Sequence, residues 1–505
     1  MDSSSRRESS PFAGSPILAL VCALSWTAFG GCSLTRVDPA PCKSNQVCRD
    51  AFGWGQVCGD EGLCGPLEPE VRCTRTTPPD LLEDPEGYAD LVVLGSVYDD
   101  DAFPLEVQAI ELAVRQVNDN GGLQGRGYGF VHCTNVEDLA LDKLDQETAN
   151  KEMALYLADQ VGTAALVGPA TSGRTQDAYL TVEPLGAMLI SPSATSPALT
   201  DLDGLNPTDE DPGLLWRTAP PDSLQGVVIA LDMWNRGLRD VAVVHQTGAY
   251  GEGLAEVFAQ EFTDRGGQAT LYPFDNDSTR DDQVVDAGAT NVEEVLFISS
   301  EKDDTVAFLN AAGSISGFDE KGLFLPDGGF DLQIFKDATQ GKTKFNDVRG
   351  TAPASPDNLI YDAFVAAFSA EYGDDATSSG FTGYAFDASW LAIYGTAWSW
   401  FQEGAITGLG VARGLRQVAS PAWLETHAET LSIRPTSWSS VVANFEEGVA
   451  VDVDGTSGAL DFDPSTEETT NPIDIWVVAP GTTGLTIVCT VQPGQPEAAD
   501  CPEWG

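Results

Sequence analysis

The sequence predicts an α/β protein with two lobes, each built on a doubly wound parallel sheet. Apolar runs of strand length alternate with helical segments along most of the chain, which is typical of parallel sheets covered by helices on both faces. Two runs end abruptly in small hydroxyl residues, as strands do where an open sheet presents a ligand site. The number of strand–helix units and the long irregular tail favour two open lobes over a closed barrel.

The elements follow in order from residue 91. An apolar run over 91–97 predicts a buried strand, 104–118 has apolar residues at helical spacing, and 128–132 predicts the next strand. The later units repeat this pattern, with strands over 241–245 and 294–298 and helices around 254–262 and 303–312.

The two runs with hydroxyl residues lie at 164–167 and 187–190. The first continues as Val167-Gly-Pro-Ala-Thr-Ser-Gly-Arg-Thr175 and the second as Ile190-Ser-Pro-Ser-Ala-Thr195. Ser172 to Thr175 would open a helix, so its free backbone N–H groups and positive dipole end would face a ligand carboxylate. The sequence therefore predicts an anion-binding end to the site.

The N-terminus predicts export. Arg6 and Arg7 precede an apolar region over about 12–29, which is typical of a signal peptide over 1–31. Gly30-Gly31-Cys32 resembles a bacterial lipobox, with Phe29 where an aliphatic residue is usual, so we expect Cys32 to be lipidated at the head of a tether over 32–41. Ordinary signal cleavage nearby is the alternative, and Gly14 and Pro16 argue against an uncleaved anchor.

The chain is strongly acidic, with a formal net charge of −51. Such a surface repels nucleic-acid phosphates and anionic lipids, so we expect neither as a partner. No later segment has the length and apolarity to span a bilayer, so a lipid anchor would be the only membrane contact. The predicted location is the cell envelope, on the periplasmic side, the outer membrane or the cell surface.

Eight of the ten cysteines remain after Cys22 leaves with the leader and Cys32 takes lipid. An even number in an oxidising compartment predicts four disulfides. Four fall within 42–64 at gaps of five, nine and five residues, too wide for a zinc ribbon; they predict a small stapled module of open connectivity. The remaining expected pairs are Cys489 with Cys501 and, by elimination, Cys73 with Cys133. The segment 65–88 is rich in Pro, Glu and Asp and predicts a linker.

Motifs for catalysis are scarce. His132, His245 and His427 have no metal-ligand spacing, no GxSxG turn follows a strand, and no Gly-rich phosphate loop opens the first helix. The acidic stretch 201–211 lacks the spacing of an EF-hand and favours a surface loop over a calcium site. We find no nucleophile and base that converge, so we expect no enzyme, no cofactor and no metal.

Seven short motifs follow one another in a fixed order along the chain. They are Asn118-Asp-Asn-Gly-Gly-Leu-Gln-Gly125, Gly168-Pro169 with Ser172, Ile190 to Thr195, Trp216-Arg-Thr with Asp222 and Gln225, Tyr250-Gly-Glu-Gly-Leu254, Phe386-Asp387-Ala388, and Gly455-Thr-Ser-Gly-Ala-Leu-Asp-Phe462. Taken together, they resemble the type I periplasmic binding proteins of the leucine/isoleucine/valine-binding branch. The resemblance covers roughly residues 89–482, and any one motif alone would be weak.

The resemblance implies two lobes that are joined by three crossovers and close on a small ligand. The expected first lobe comprises 89–219 and 355–445, and the expected second lobe 220–354 and 446–488. Residues 489–505 then form a C-terminal tail.

The resemblance also implies the ligand-binding residues. A carboxylate-binding serine corresponds to Ser172, and the loop that takes the carboxylate and ammonium corresponds to Ser193, Ala194 and Thr195. In the second lobe, Tyr250 matches an aromatic that covers the ligand, and Asp327 a carboxylate that pairs with its amino group. Glu301 stands where the branched-chain amino acid binders have a tyrosine, which argues against an apolar side-chain pocket.

Each assignment has a structural alternative. Ser172 and Thr195 are also good helix caps, and Tyr250 could simply cover a helix end. Asp327 precedes two glycines and suits a turn, while Glu301 could be solvated. Asp387 is expected to brace the helix that follows it, outside the site.

Two functions fit the sequence. In the first, an exported lipoprotein captures an amino acid or a similar small polar molecule for import by an ABC permease. In the second, the same cleft serves sensing or surface attachment, with the cysteine module as a spacer or adhesion contact. The fold alone does not choose between them.

Overall fold

A computed structural model of the chain describes residues 41–138, 140–204, 206–354, 358–418, 427–495 and 501. The predicted signal peptide, the tether and Cys32 lie outside these residues. Among the described residues, no helix combines the length and the hydropathy needed to cross a bilayer.

The cysteine-rich module is one short helix and a hairpin, α1 (Asn45–Phe52), β1 (Gln56–Cys58) and β2 (Cys64–Pro66), with β1 antiparallel to β2. Its disulfides are Cys42–Cys58 and Cys48–Cys64. The Arg49 guanidinium donates to the Asp159 carbonyl over 2.8 Å, and Trp54 packs in the core of the first lobe. The module is therefore docked on that lobe.

The first lobe has a six-stranded sheet in the order β3-β5-β4-β6-β7-β8. All neighbours are parallel except β3, which runs antiparallel to β5. Its elements are β3 (Arg75–Thr77), β4 (Val92–Tyr98), α2 (Pro104–Asp119), β5 (Tyr128–Thr134), α3 (Gln146–Leu155), β6 (Ala165–Val167), α4 (Ser172–Val182), β7 (Met188–Ser191) and β8 (Leu215–Arg217).

Strand β3 lies inside the segment 65–88, which the sequence predicts as a linker. Thr76 pairs with Val131 in β5, and the expected disulfide Cys73–Cys133 ties the same segment to that strand. Leu81 is fully buried in the first-lobe core. Residues 75–77 of this segment therefore form the edge of the sheet, because their backbone pairs with β5 there although the side chains lack strand periodicity.

The second lobe follows β8 with the same alternation. Its elements are α5 (Asp222–Asn235), β9 (Asp240–Gln246), α6 (Ala249–Asp264), β10 (Gln268–Phe274), α7 (Asp277–Gly288), β11 (Glu294–Ile298), α8 (Lys302–Ala312), β12 (Gly322–Leu325), α9 (Leu332–Asp337) and β13 (Val348–Pro353). The strands predicted over 241–245 and 294–298, and the helices that follow them, are all present.

The chain then returns to the first lobe and crosses back once more. These elements are α10 (Leu359–Tyr372), α11 (Thr382–Trp398), α12 (Gly408–Leu415), β14 (His427–Ser432), α13 (Trp438–Glu446), β15 (Ala450–Asp454), β16 (Ile473–Val478) and β17 (Leu485–Val491). The second sheet has the order β10-β9-β11-β12-β13-β16-β17. Its last two strands are antiparallel, so this sheet is mixed rather than purely parallel.

Two boundaries differ from those expected. Val451 and Phe462 are buried in the core of the first lobe, so the second lobe resumes after them rather than at 446. Cys489 lies within β17 and forms the expected disulfide with Cys501, so the predicted tail begins inside a strand. Periodicity alone does not reveal these boundaries, because they depend on which sheet a segment joins.

In the part of the chain that the structure describes, three crossovers connect the lobes, after β8, after β13 and between β15 and β16. Asp387 braces the segment that follows β15 and leads to the last crossover. It lies within α11, is fully buried, and accepts hydrogen bonds from the Thr456 N–H (2.9 Å), the Ser457 N–H (2.7 Å) and the Ser457 hydroxyl (2.6 Å). Burial raises the pKa of Asp387 to about 6. The residue thus braces the segment after β15, not a helix that follows Asp387.

Candidate functional site

The candidate site is a cavity of about 50 Å³ between the carboxyl ends of the two sheets. Its walls come from both lobes: Phe103, Ala170, Thr171, Ser172, Ser193, Tyr250, Ser300, Asp327, Gly328 and Phe381. Ser172, Ser193, Tyr250 and Asp327 are thus brought together by the fold. Ligands of open α/β sheets bind at such strand ends.

The hydroxyl groups of Ser172, in the cavity wall, and of Thr195, which is not among the lining residues, each have a partner within the protein. The Ser172 hydroxyl accepts from the Ser196 N–H over 3.1 Å, and the Thr195 hydroxyl donates to Asp222 over 3.0 Å. Neither residue is an N-cap: Thr171 occupies that position in α4, and Ser196 caps the short 3₁₀ helix that follows Thr195. The helix-cap alternative for Ser172 and Thr195 is therefore wrong.

Ser193 and Ala194 shape the loop after β7. The Ser193 hydroxyl donates to the Ala170 carbonyl over 2.9 Å, which ties the loop to the segment before α4. The buried Ala194 donates its N–H to the Ser191 hydroxyl over 3.1 Å. Ser193 therefore borders the cavity, whereas the Ala194 N–H is used in a hydrogen bond within the loop.

The second-lobe wall contains a buried hydrogen-bond network. The Tyr250 hydroxyl donates to Asp327 Oδ1 over 2.6 Å and accepts from the Gly328 N–H over 3.3 Å. The Gln225 amide donates to the same Asp327 oxygen over 2.6 Å and to Asp222 over 3.0 Å. Asp327 begins a 3₁₀ turn after β12. It is therefore a turn residue, and its side chain also forms part of the cavity wall.

Two carboxylates are therefore buried close together. Asp222 is fully buried and Asp327 is 5% exposed. Burial raises the pKa of Asp327; burial, and then the charge of Asp327, raise the pKa of Asp222. Among the described residues neither forms a salt bridge. A cationic group in the cavity would stabilise both ionised forms, because an opposite charge offsets the cost of burial.

Glu301 lies at the mouth of the cleft instead of in the cavity. Its carboxylate is 3.7 Å from the Arg174 guanidinium of the first lobe, and its side chain is 42% exposed. It borders a neighbouring hollow of about 180 Å³. The structure thus separates Glu301 from Asp327. The lining residues that the sequence left unassigned include two aromatic rings, Phe103 and Phe381.

Phe103, Phe381, Asp222 and Gln225 are site features that the sequence-based prediction did not assign. Asp222 and Gln225 belong to a recognised motif, so a signal existed for them. Phe103 and Phe381 each directly precede a helix, α2 and α11, and no local pattern marks such a residue as part of a cleft.

A serine, a histidine and an aspartate converge elsewhere in the first lobe, contrary to the expectation from sequence. Ser96 Oγ lies 2.8 Å from His132 Nδ1, and His132 Nε2 lies 2.5 Å from Asp100. Ser96 and His132 are 0% and 1% exposed. Because its serine is sealed inside the sheet, this triad braces β4 against β5 rather than offering a nucleophile to a substrate.

Comparison with known proteins places this geometry in a family. The sequence profile of the periplasmic binding protein family matches residues 91–427. Among solved structures, the branched-chain amino acid transporter substrate-binding protein LivJ from Streptococcus pneumoniae, in complex with isoleucine, has a TM-score of 0.60 at 20% identity. The match covers 80% of this chain and 100% of that one. The leucine-binding protein LivK from Thermotoga maritima also has a TM-score of 0.60, at 15% identity, with 80% and 99% covered.

Sequence relatives agree with the fold. The chain is 32% identical over 164 residues to the Leu/Ile/Val-binding protein homolog 1 of Brucella melitensis, a match that covers 32% of this chain and 39% of that protein. It is 30% identical over 217 residues to the chemotactic signal transduction system substrate-binding protein BasB of Halobacterium salinarum, with 42% and 46% covered. The chain therefore belongs to the periplasmic binding protein family and resembles its leucine/isoleucine/valine-binding branch.

Proposed function

We propose that this protein is an extracytoplasmic solute receptor that binds an amino acid, or a similar small molecule with a carboxylate and an ammonium group, for ABC-type import. The observation that carries the proposal is the polarity of the cavity. Its first-lobe wall presents hydroxyl groups and a helix start, whereas its second-lobe wall contains Asp327 with Asp222 behind it.

The two walls suit opposite ends of a zwitterion. The start of α4 favours negative charge, because its first backbone N–H groups have no partner within the helix and its dipole end is positive. Asp327 favours a cation because it is buried and, in the described chain, unpaired by an arginine or lysine. An α-amino acid that bridges the cleft would satisfy both sides at once and would hold the lobes together.

The side chain of such a ligand would lie near Phe103 and Phe381. Two aromatic rings form a mainly apolar wall, which favours a small or apolar side chain over a charged one. Glu301 faces the entrance with Arg174, so we propose that it acts on entry rather than on selectivity. The names of the Brucella and Streptococcus relatives, which refer to branched-chain amino acids, support this ligand class.

A ligand screen by thermal shift and native mass spectrometry tests the proposal. The panel contains leucine, alanine, glutamine and arginine, each with its methyl ester and its deaminated acid. A bound ligand at a hundred times its dissociation constant should stabilise the fold by about 2.7 kcal/mol. Free amino acids should bind far better than either derivative; equal binding of an acid and its ester would remove the carboxylate from the proposal.

A sensing role is the second candidate, and the similarity to BasB favours it. The same cleft would then report ligand occupancy to a signalling partner instead of a permease. Ligand uptake by cells that lack the protein distinguishes the two. Loss of uptake supports transport, whereas unchanged uptake with a lost behavioural response supports sensing.

A further inference from the structure

The two lobes meet at a lysine outside the ligand cavity. Lys302, the first residue of α8, forms an ion pair with Asp331 of its own lobe over 2.6 Å. Its ammonium also donates to the Ala102 carbonyl of the first lobe and lies 5.2 Å from the centre of the Phe103 ring. One cation thus contacts both lobes and the aromatic wall of the cavity.

The surroundings of Lys302 are ordered by further contacts between the lobes. Asp331 forms an antiparallel backbone bridge with Ser379, whose hydroxyl donates to the buried Glu106 over 2.6 Å. Asp331 and Glu106 are 8% and 2% exposed. The Lys302 side chain is 28% exposed and its ion-pair partner Asp331 is largely buried, so the charge is screened less than at an open surface.

A second ion pair where the lobes meet, found among the described residues, has much weaker geometry. Arg174 and Glu301 are 3.7 Å apart, and the Glu301 side chain is 42% exposed. Exposed pairs of this kind contribute little. Of these two ion pairs, the one of Lys302, with direct donor bonds and a buried carboxylate partner, is the stronger candidate for holding the lobes together.

We propose that Lys302 is a positioning residue that latches the closed cleft and holds Phe103 in the cavity wall. Opening of the cleft would separate the ammonium from Ala102 and Phe103, whereas its ion pair with Asp331, in the same lobe, would remain. The lysine therefore favours closure through the contacts that it makes only when the lobes meet. The inference goes beyond the proposed function because it concerns the ligand-free chain, so a chain that bound no amino acid would still show the latch.

Single-molecule energy transfer between the lobes tests the latch without a ligand. Fluorophores on non-canonical residues at exposed positions 152 in α3 and 286 in α7 leave the disulfides untouched. In Lys302→Met, which keeps much of the aliphatic stem, the closed-to-open ratio should fall about tenfold, equivalent to about 1.4 kcal/mol. Lys302→Arg should restore most of the closed population, because a guanidinium can donate to the same carbonyl and carboxylate.

The matched control is Lys336→Met, which removes the same charge from an exposed position in α9 of the same lobe. It should leave the distribution unchanged. A wild-type distribution in folded Lys302→Met, or an equal shift in the control, would overturn the proposal. If Lys302→Met does not fold, Asp331→Asn provides the same measurement, since asparagine preserves the N-cap of α9 and weakens the hold on the ammonium.

Discussion

Asp222 and Asp327 set the chemistry of the cleft at the scale of single residues. Each is buried, and one glutamine amide donates to both. Their charges stay close together because the crossover into α5 brings Asp222 next to the turn after β12. An ammonium group from a ligand is the simplest partner for such a pair.

Replacement of the Asp327 carboxylate tests whether it binds the ammonium group of the ligand. Asp327→Asn should weaken amino acid binding by about 2–5 kcal/mol, since it removes one partner of a buried charge pair. Calorimetry with the tightest ligand of the screen measures the loss. Asp264→Asn, at an exposed position at the end of α6, is the control and should bind as the wild type does; undiminished binding by Asp327→Asn would exclude it as the ammonium partner.

The raised pKa values of Asp222 and Asp327 predict a pH dependence of binding. An ammonium group pairs with the ionised form, so affinity should fall as the pH is lowered through these raised pKa values. The stability of the ligand-free chain should change in the opposite sense. The protonated carboxyl groups of Asp222 and Asp327 stabilise the fold fully below the pKa that they have in the unfolded chain, and this stabilisation is lost as the pH rises through their raised pKa in the folded chain. Calorimetry and denaturation over the same acidic range measure both trends. Asp222→Asn should flatten them, and identical curves for variant and wild type would contradict the assignment.

At the scale of elements, the cysteine module is part of the first lobe. Trp54 follows α1, is 7% exposed and packs with Leu67 and Leu81 in the lobe core. The backbone N–H of Trp54 donates to the Ala89 carbonyl over 3.0 Å. These contacts couple the module to the lobe, unlike those of a free spacer.

Substitution of a buried and an exposed aromatic residue tests whether the module packs on the lobe. Trp54→Ala should lower the free energy of unfolding by about 3–5 kcal/mol, because it removes a large side chain from a packed core. Phe52→Ala, at a position that is 66% exposed, should change it by less than about 0.5 kcal/mol. Chemical denaturation with the disulfides intact compares the two. If both variants are as stable as the wild type, the module does not contribute to the lobe.

At the scale of the whole molecule, the predicted lipid anchor at Cys32 would hold the protein at a membrane. Cys32→Ala should release a folded, soluble protein, which detergent partitioning of cell fractions would detect. Ser33→Ala serves as the control and should remain with the membrane fraction. A Cys32→Ala variant that still partitions with the membrane would show that another segment anchors the chain.

The sequence by itself determined the alternation of strands and helices and the residues that end the strands. Apolar periodicity is local, so β11 is found at the predicted residues and α2 ends within one residue of the predicted position. Cysteine number and spacing also predicted four disulfides, of which Cys73–Cys133 and Cys489–Cys501 were paired correctly. The motif resemblance assigned Ser172, Ser193, Tyr250 and Asp327 to one site, and all four line the same cavity.

Only the tertiary structure decided what lies opposite what. The short strand β3 forms because an edge of the sheet supplies its hydrogen bonds, and the placement of Val451 and Phe462 depends on which core accepts them. Glu301 and Asp327 both follow strands of one sheet, yet the fold turns one towards the entrance and buries the other. The contacts of Lys302 with Ala102 and Phe103 join residues about two hundred positions apart, and contacts at such separations leave no local pattern in a single sequence.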